Sequence, residues 1–319
     1  SVPQMASITA HEKMSAYAMI GILDGILRFS VALLIRHSSS DRLVLYSVFM
    51  SLSVLLVRLA YGIYCRRHFP ECRYRPVFDR SLMKEMFSFA GWNFIGVTAG
   101  VLRDHGGNIL VNIFSGSVVV NASRGVALQL SNAVQSFVTN FMTAVNPQIT
   151  KSYAAGDKEY MFSLMRKSSR MAFYLLFIIA LPVLFNMDAI LAFWLDDVPE
   201  MSSGFARLFL ILALSESLSG PLMTGTLATG KIRDYQILVG GLIMMNFPVS
   251  YLFLKAGASP ESTVAISIVI SQICLFARLY MLDRLPGFPV RNYLVRVWLN
   301  VLKVTVTAVT ISFIIDRFM

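Results

Sequence analysis

The chain is poor in charge. Only 14% of its 319 residues are Asp, Glu, Lys or Arg, against 56% hydrophobic, whereas soluble domains carry roughly a quarter charged residues. That shortage excludes an ordinary soluble globular protein. Cysteine is scarce too: Cys65, Cys72 and Cys274 give no metal spacing and no pairing framework, so redox chemistry is not expected. The histidines His11, His37, His68 and His105 are scattered over different connections without H-x-x-H or H-E-x-x-H spacing, and no zinc site is expected. A G-x-x-x-x-G-K-[ST] phosphate loop is missing, which argues against ATP hydrolysis. Segments of strictly alternating polarity are missing as well, and their absence argues against a β-barrel. No polar stretch is large enough for a catalytic domain, so no enzyme is expected. A membrane-embedded transferase acting on lipid-linked sugars would place carboxylates or histidines in a substantial loop at the membrane boundary.

What is present is a series of apolar runs, each near the ~20 residues needed to cross the hydrocarbon core. They predict an all-α polytopic membrane protein with nine spans, at about 14–35, 43–64, 86–115, 118–147, 168–193, 203–228, 232–254, 262–283 and 298–316. Between 86 and 147, Arg103, Asp104, His105, Gly106 and Gly107 read either as a loop or as a bend inside one long helix. Charge distinguishes the two. With two spans in that stretch, the connections alternate strictly, 17 Lys and Arg on one side against 4 on the other. Lys-rich and Arg-rich short connections stay cytoplasmic, which places the N-terminal end inside. Alternation between spans also explains the basic connections by topology and contact with anionic headgroups, and no nucleic-acid partner is expected.

Displaced by 218 positions, the chain partly matches itself. Ala10, Lys13, Tyr17, Phe29, Val31 and Leu34 fall on Ala228, Lys231, Tyr235, Phe247, Val249 and Leu252. Both segments start on the cytoplasmic side six spans apart, as a parallel repeat requires. The expected organisation is then 1–64 as the last two helices of an N-terminal lobe, 65–85 as a cytoplasmic linker, 86–284 as a six-helix C-terminal lobe, and 285–319 as a cytoplasmic segment beginning a helical appendage. The chain starts at Ser1 without a basic-then-apolar leader and its last apolar run stops at Asp316 to Met319. It therefore reads as a fragment of a longer protein.

Ionisable residues inside spans ask for a partner or a wet cavity. Arg58, Asp188 and Arg278 fall near span ends, where long side chains reach the interface, and read as structural. Asp24 and Arg28 stand at i and i+4 in the favourable order for an intrahelical pair. That pair either satisfies itself or lines a cavity, with Arg28 open to an anion and Asp24 to a proton. Asn108, Asn112, Asn121, Arg124, Gln129, Asn132, Gln135 and Asn140 make the third and fourth spans unusually polar, and Arg124, Ser131 and Gln135 recur at helical spacing. Such a stripe faces protein or water rather than lipid, as a substrate path or as interhelical hydrogen bonding. Glu216 sits mid-span between Ser215 and Ser217, just before Gly220 and Pro221. It reads equally as a coupling-ion site and as a buried, hydrogen-bonded carboxyl.

Three segments, Asn121-Ala122-Ser123-Arg124-Gly125-Val126-Ala127, Phe137-Val138-Thr139-Asn140-Phe141 and Asn146-Pro147-Gln148-Ile149-Thr150-Lys151-Ser152-Tyr153, resemble bacterial O-antigen-type polysaccharide repeat-unit flippases. Those belong to the multidrug/oligosaccharidyl-lipid/polysaccharide exporter superfamily. Phe87-Ser88-Phe89-Ala90-Gly91-Trp92-Asn93 and Ala228-Thr229-Gly230-Lys231-Ile232 look like the same family. The resemblance implies two six-helix lobes around a central cavity in the bacterial inner membrane, with about four N-terminal helices absent here. It implies alternating access powered by a proton or sodium gradient, no other cofactor, and an undecaprenyl-diphosphate-linked oligosaccharide as cargo. Membrane lipids and polysaccharide polymerase or assembly proteins are the other implied partners. On this reading Arg28, Arg103 and Arg124 attract the diphosphate, Asn108, Asn112 and Gln135 face sugars, and Asp24 and Glu216 couple the ion. The rivals are a drug or metabolite antiporter on the same fold, which predicts an acid-dominated cavity, and a non-transporting scaffold or lipid-binding subunit.

Overall fold

The computed structural model of the chain describes residues 2–11, 13–36, 41–72, 78–230, 232–284 and 287–318. His37, Lys231 of the internal match, and Arg73, Tyr74 and Arg75 of the basic connection lie outside the described residues. Every regular element among the described residues is helical. Seven helical runs are long and apolar enough to cross a membrane, so the chain is a multi-pass helical membrane protein. It divides into two units, Ser1–Asp79 and Arg80–Met319.

In the first unit a short helix α1 (Val2–Ala10) packs on a hairpin of α2 (Met14–Arg36) and α3 (Arg42–His68). Asp41 starts α3 by accepting hydrogen bonds from the Leu43 and Val44 amides, at 2.9 and 3.5 Å, which satisfies donors a helix start leaves orphaned. Ile8, Ile20, Tyr61, Cys65 and Phe69 form a small core at one end. There His11 pairs with Glu71 and stacks on Phe69 at 4.4 Å. His11 donates to the Glu71 carboxylate and holds that group below its usual range. Along the hairpin Ile22, Phe29, Leu33, Leu55 and Leu59 are exposed, an apolar surface suited to hydrocarbon.

The second unit begins with α4 (Arg80–Ser115) and α5 (Val118–Ala154). At 36 residues, α4 is about 54 Å long and runs unbroken through Arg103–Gly107. Gly116, at φ +59°, turns the chain into α5. The polar residues of this pair keep it outside the seven apolar runs. Next comes α6 (Lys158–Phe185), a short α7 (Met187–Trp194), and the halves α8 (Ser202–Ser217) and α9 (Gly220–Ala228) of one broken span. α10 (Ile232–Lys255) contains a π-helical turn at Gln236–Gly240, and α11 (Ser262–Asp283) follows. α12 starts at Val290–Tyr293, passes a π-turn at Leu294–Trp298 and continues over Leu299–Phe318.

Two spans differ most from the sequence expectation. The span expected at 168–193 is α6, which starts ten residues earlier and ends at Phe185. Asp157 caps it, accepting from the Tyr160 amide at 3.0 Å. Lys158, Arg166, Lys167 and Arg170 therefore sit on a helical extension, where long aliphatic stems allow charge near a membrane surface. At the other end the Asn186 side chain donates to the Pro182 carbonyl at 3.0 Å and α7 restarts separately. Likewise the span expected at 298–316 starts at Val290, and Arg291 and Arg296 belong to it.

Within the second unit α5 packs against α4, α6, α8 and α9, α11 packs against α8, α9 and α10, and α10 returns to α4. α4, α5, α8–α9, α11 and α10 thus close a ring, while α6 carries α12 on its outer side. The packed core lies between α5, α6 and α8–α9, around Ile149, Met165, Leu176, Leu210 and Leu222.

Candidate functional site

The break between α8 and α9 organises the interior. Gly220 and Pro221 stand where the helix would continue, and Pro has no amide proton for the next turn, so the chain makes a turn at Leu218 and Ser219. A helix end at membrane depth must place its free carbonyls. The Leu218 carbonyl accepts from the Tyr293 hydroxyl at 3.0 Å and from Ser169 Oγ at 3.2 Å. The Ser219 hydroxyl, in contrast, is buried without a hydrogen-bond partner among the described residues.

Ser219 lines a cavity of about 330 Å³ inside the ring. Arg103 of α4, Gln135 of α5, Glu216 of α8, Gly220 of α9 and Arg278 of α11 also line it. Arg103 Nη1 donates to the Glu216 carboxylate, and its Nε donates to Asp104 at 2.9 Å. Arg278 is 8% exposed; its Nε donates to the Tyr235 hydroxyl at 3.0 Å, and no carboxylate lies within ion-pair distance of it among the described residues. The cavity therefore carries two arginines and one carboxylate on its walls.

A second polar cluster lies nearer the α4–α5 turn. Arg124 is 4% exposed and donates to the Asn108 side-chain oxygen and, at 3.2 Å, to Thr263 Oγ1. The Phe209 ring faces its guanidinium at 5.1 Å, a favourable contact for a desolvated cation. Gly107 makes room for it: a Cβ there would lie 2.8 Å from Nη2.

On the far side of the broken span, an apolar cavity of about 690 Å³ lies between α6, α8, α11 and α12. Its polar edge is a chain of hydrogen bonds, with Gln272 Nε2 donating to Ser215 Oγ at 2.6 Å and Ser215 sharing a 2.8 Å bond with Ser271. Ser271 also lines the polar cavity, so one hydrogen-bonded wall separates the two spaces.

Of the residues singled out in the sequence, Arg103, Glu216 and Gln135 come together in the polar cavity, and Arg124 and Asn108 in the neighbouring cluster. Asn112 instead accepts a 3.0 Å hydrogen bond from Asn121 at the end of the α4–α5 hairpin. Asp24 and Arg28 are joined at 3.0 Å on α2, in the first unit, with Arg28 exposed. Arg278 and Ser219 were not among the sequence candidates. Arg278, counted as near a span end, is buried and faces the cavity. The signal was present in the spacing Ser267, Ser271, Cys274, Arg278, a stripe along one face of α11, and all four line the cavity. Among the described residues no three His, Cys, Asp or Glu side chains come together as metal ligands. Compared with known proteins, the chain matches no family model, and no curated protein or solved structure is significantly similar to it.

Proposed function

We propose that the chain takes part in moving an anionic, lipid-linked oligosaccharide of the undecaprenyl-diphosphate type across the bacterial inner membrane for surface polysaccharide synthesis. The observation that carries this reading is the surplus of arginine over carboxylate in the interior of the second unit, which this reading sets at membrane depth. Arg103 and Arg278 face the cavity with Glu216 as its one lining carboxylate, and Arg124 is buried with an amide and a hydroxyl as partners. Ionisable groups at such depth mark substrate and ion paths, and net positive walls favour anionic cargo over the organic cations of a drug antiporter. The motifs around Asn121–Ala127 and Asn146–Tyr153 point the same way.

In this reading α4 and α5 also cross the membrane, giving nine spans, and α4, α5, α6, α8–α9, α10 and α11 form the six-helix C-terminal lobe. α2 and α3 end the preceding lobe, 65–85 links the two, and α12 begins an appendage. The internal match supports this arrangement, because α2 and α10 start at Met14 and Ile232, at the same offset as the matching residues. Transport is by alternating access driven by a proton or sodium gradient, with Glu216 and Asp24 as coupling carboxylates. The chain performs no covalent chemistry.

The test is surface glycan display, with lipid-linked repeat units quantified, in cells deleted for the gene and complemented with wild type or Arg124→Ala. The expected result is loss of display in the deletion strain, with units retained on the cytoplasmic leaflet, and failure of Arg124→Ala to restore it. Normal display in the deletion strain overturns the reading and directs attention to efflux of cations.

A further inference from the structure

Three features of the polar cavity are not explained by interhelical packing. Ser219 is 6% exposed, and its hydroxyl has no partner among the described residues although it lines the cavity. Arg278 is held by a tyrosine hydroxyl, and among the described residues no carboxylate lies within ion-pair distance of it. The start of α9, at Gly220, opens on the same wall, where a helix N-terminus favours negative charge. The Leu218 carbonyl at this break is engaged by Ser169 and Tyr293, so the opposing end of α8 has its own donors. An unpartnered hydroxyl, an arginine without an ion pair and a helix start converging on about 330 Å³ make a receptor for a tetrahedral oxyanion.

We infer that this cavity binds a phosphate-type oxyanion through Arg278, Ser219 and Arg103, and that the anion displaces Glu216 from Arg103. The inference rests on the transport reading for its biological use, but not for its chemistry. Arg103 is shared between Asp104 and Glu216, and a guanidinium presents a planar fork that prefers bidentate phosphate. When the fork turns to the oxyanion, Glu216 gives up its contact with Arg103, while Asp104, which is largely exposed, remains available to Arg103. Glu216 and the anion therefore compete for one guanidinium.

The purified full chain in phosphatidylcholine nanodiscs, titrated calorimetrically, tests both parts. The probes are inorganic pyrophosphate and farnesyl diphosphate. Arg278→Gln weakens binding about tenfold or more, as loss of a charge-assisted contact does. Ser219→Ala removes a hydroxyl with no hydrogen-bond partner among the described residues, so the fold is retained while binding falls severalfold. Glu216→Gln binds severalfold more tightly than wild type, because the competing carboxylate is gone. Farnesyl diphosphate binding more tightly, in competition with pyrophosphate, assigns the site to the headgroup of a lipid-linked anion, and equal affinities assign it to free phosphates. Absence of binding by both probes, or wild-type affinity in both Arg278→Gln and Ser219→Ala, overturns the site. Unchanged or weaker binding in Glu216→Gln overturns the exchange. Binding as expected in a protein whose deletion leaves glycan display normal removes the glycan reading and leaves the site standing.

Discussion

Arg124 shows how a cation is kept in an apolar bundle without an ion pair among the described residues. Asn108, Thr263 and the Phe209 face compensate its desolvation, and Gly107 leaves the space it occupies. Gly107→Ala puts a methyl group against a guanidinium that those partners prevent from moving away. A loss of about 1–3 kcal/mol in unfolding free energy is expected, the usual range for overpacking. The same substitution in an Arg124→Ala background should cost much less, since the clashing atoms are gone; an equal cost in both backgrounds would place the effect elsewhere. Outside the spans, Asp188 of α7 accepts from the Ser203 hydroxyl and, at 2.8 Å, from Arg207. Those bonds, the hydroxyl first, hold its carboxyl below the usual range. A depressed carboxyl contributes its stability above the unfolded-state value of about 3.9 and loses it as pH falls through the lower folded value. Amide exchange at the start of α8, corrected for intrinsic rate, should therefore be flat down to about pH 4 and accelerate below it. Asp188→Asn should remove that acceleration.

At the scale of elements, the apolar runs located the helices, but their ends and faces were only partly legible. Charges at Lys158 to Arg170 look like a loop when apolar runs are counted, although Asp157 caps a helix there. The weakness of the span around Gly220 and Pro221 was readable, because those residues disfavour helix interiors whatever surrounds them. The burial of Arg278 was not, because its depth depends on how α11 rotates against α8 and α10, and that follows from packing. Asn246 belongs to the same category: buried in α10, it donates to Ser267 Oγ at 2.7 Å and ties α10 to α11. Hydrogen bonds between membrane helices contribute on average about 0.6 kcal/mol and at most about 1.7. Asn246→Leu should destabilise the bundle within that range, measured by reversible unfolding in bicelles. Ser267 retains its own 2.9 Å bond to the Thr263 carbonyl, whereas the buried Ser250 hydroxyl loses the Asn246 oxygen to which it donates at 3.4 Å, which brings the cost toward the top of that range; a loss several times larger would show that Asn246 does more than join two helices.

For the whole molecule, the decisive question is whether α4 and α5, the most polar of the long helices, cross the bilayer. Their lengths permit it, and the charge alternation requires that both cross or neither does, because removing the pair leaves every later span in the same orientation. The later connections therefore cannot answer it, but the turn between α4 and α5 can. In a chain whose three cysteines have been replaced, single cysteines at Val118, Ala155 and Asp197 occupy exposed positions at the α4–α5 turn, the α5–α6 turn and the connection after α7. With a membrane-impermeant maleimide on intact cells, Val118→Cys and Asp197→Cys should react, and Ala155→Cys only after permeabilisation. If Val118→Cys instead requires permeabilisation while Asp197→Cys does not, α4 and α5 lie on the cytoplasmic side. The ring that encloses Arg103, Glu216 and Arg278 would then not be a membrane-depth site, and the transport reading built on it would fall, while the calorimetric titration alone decides whether the cavity binds an anion.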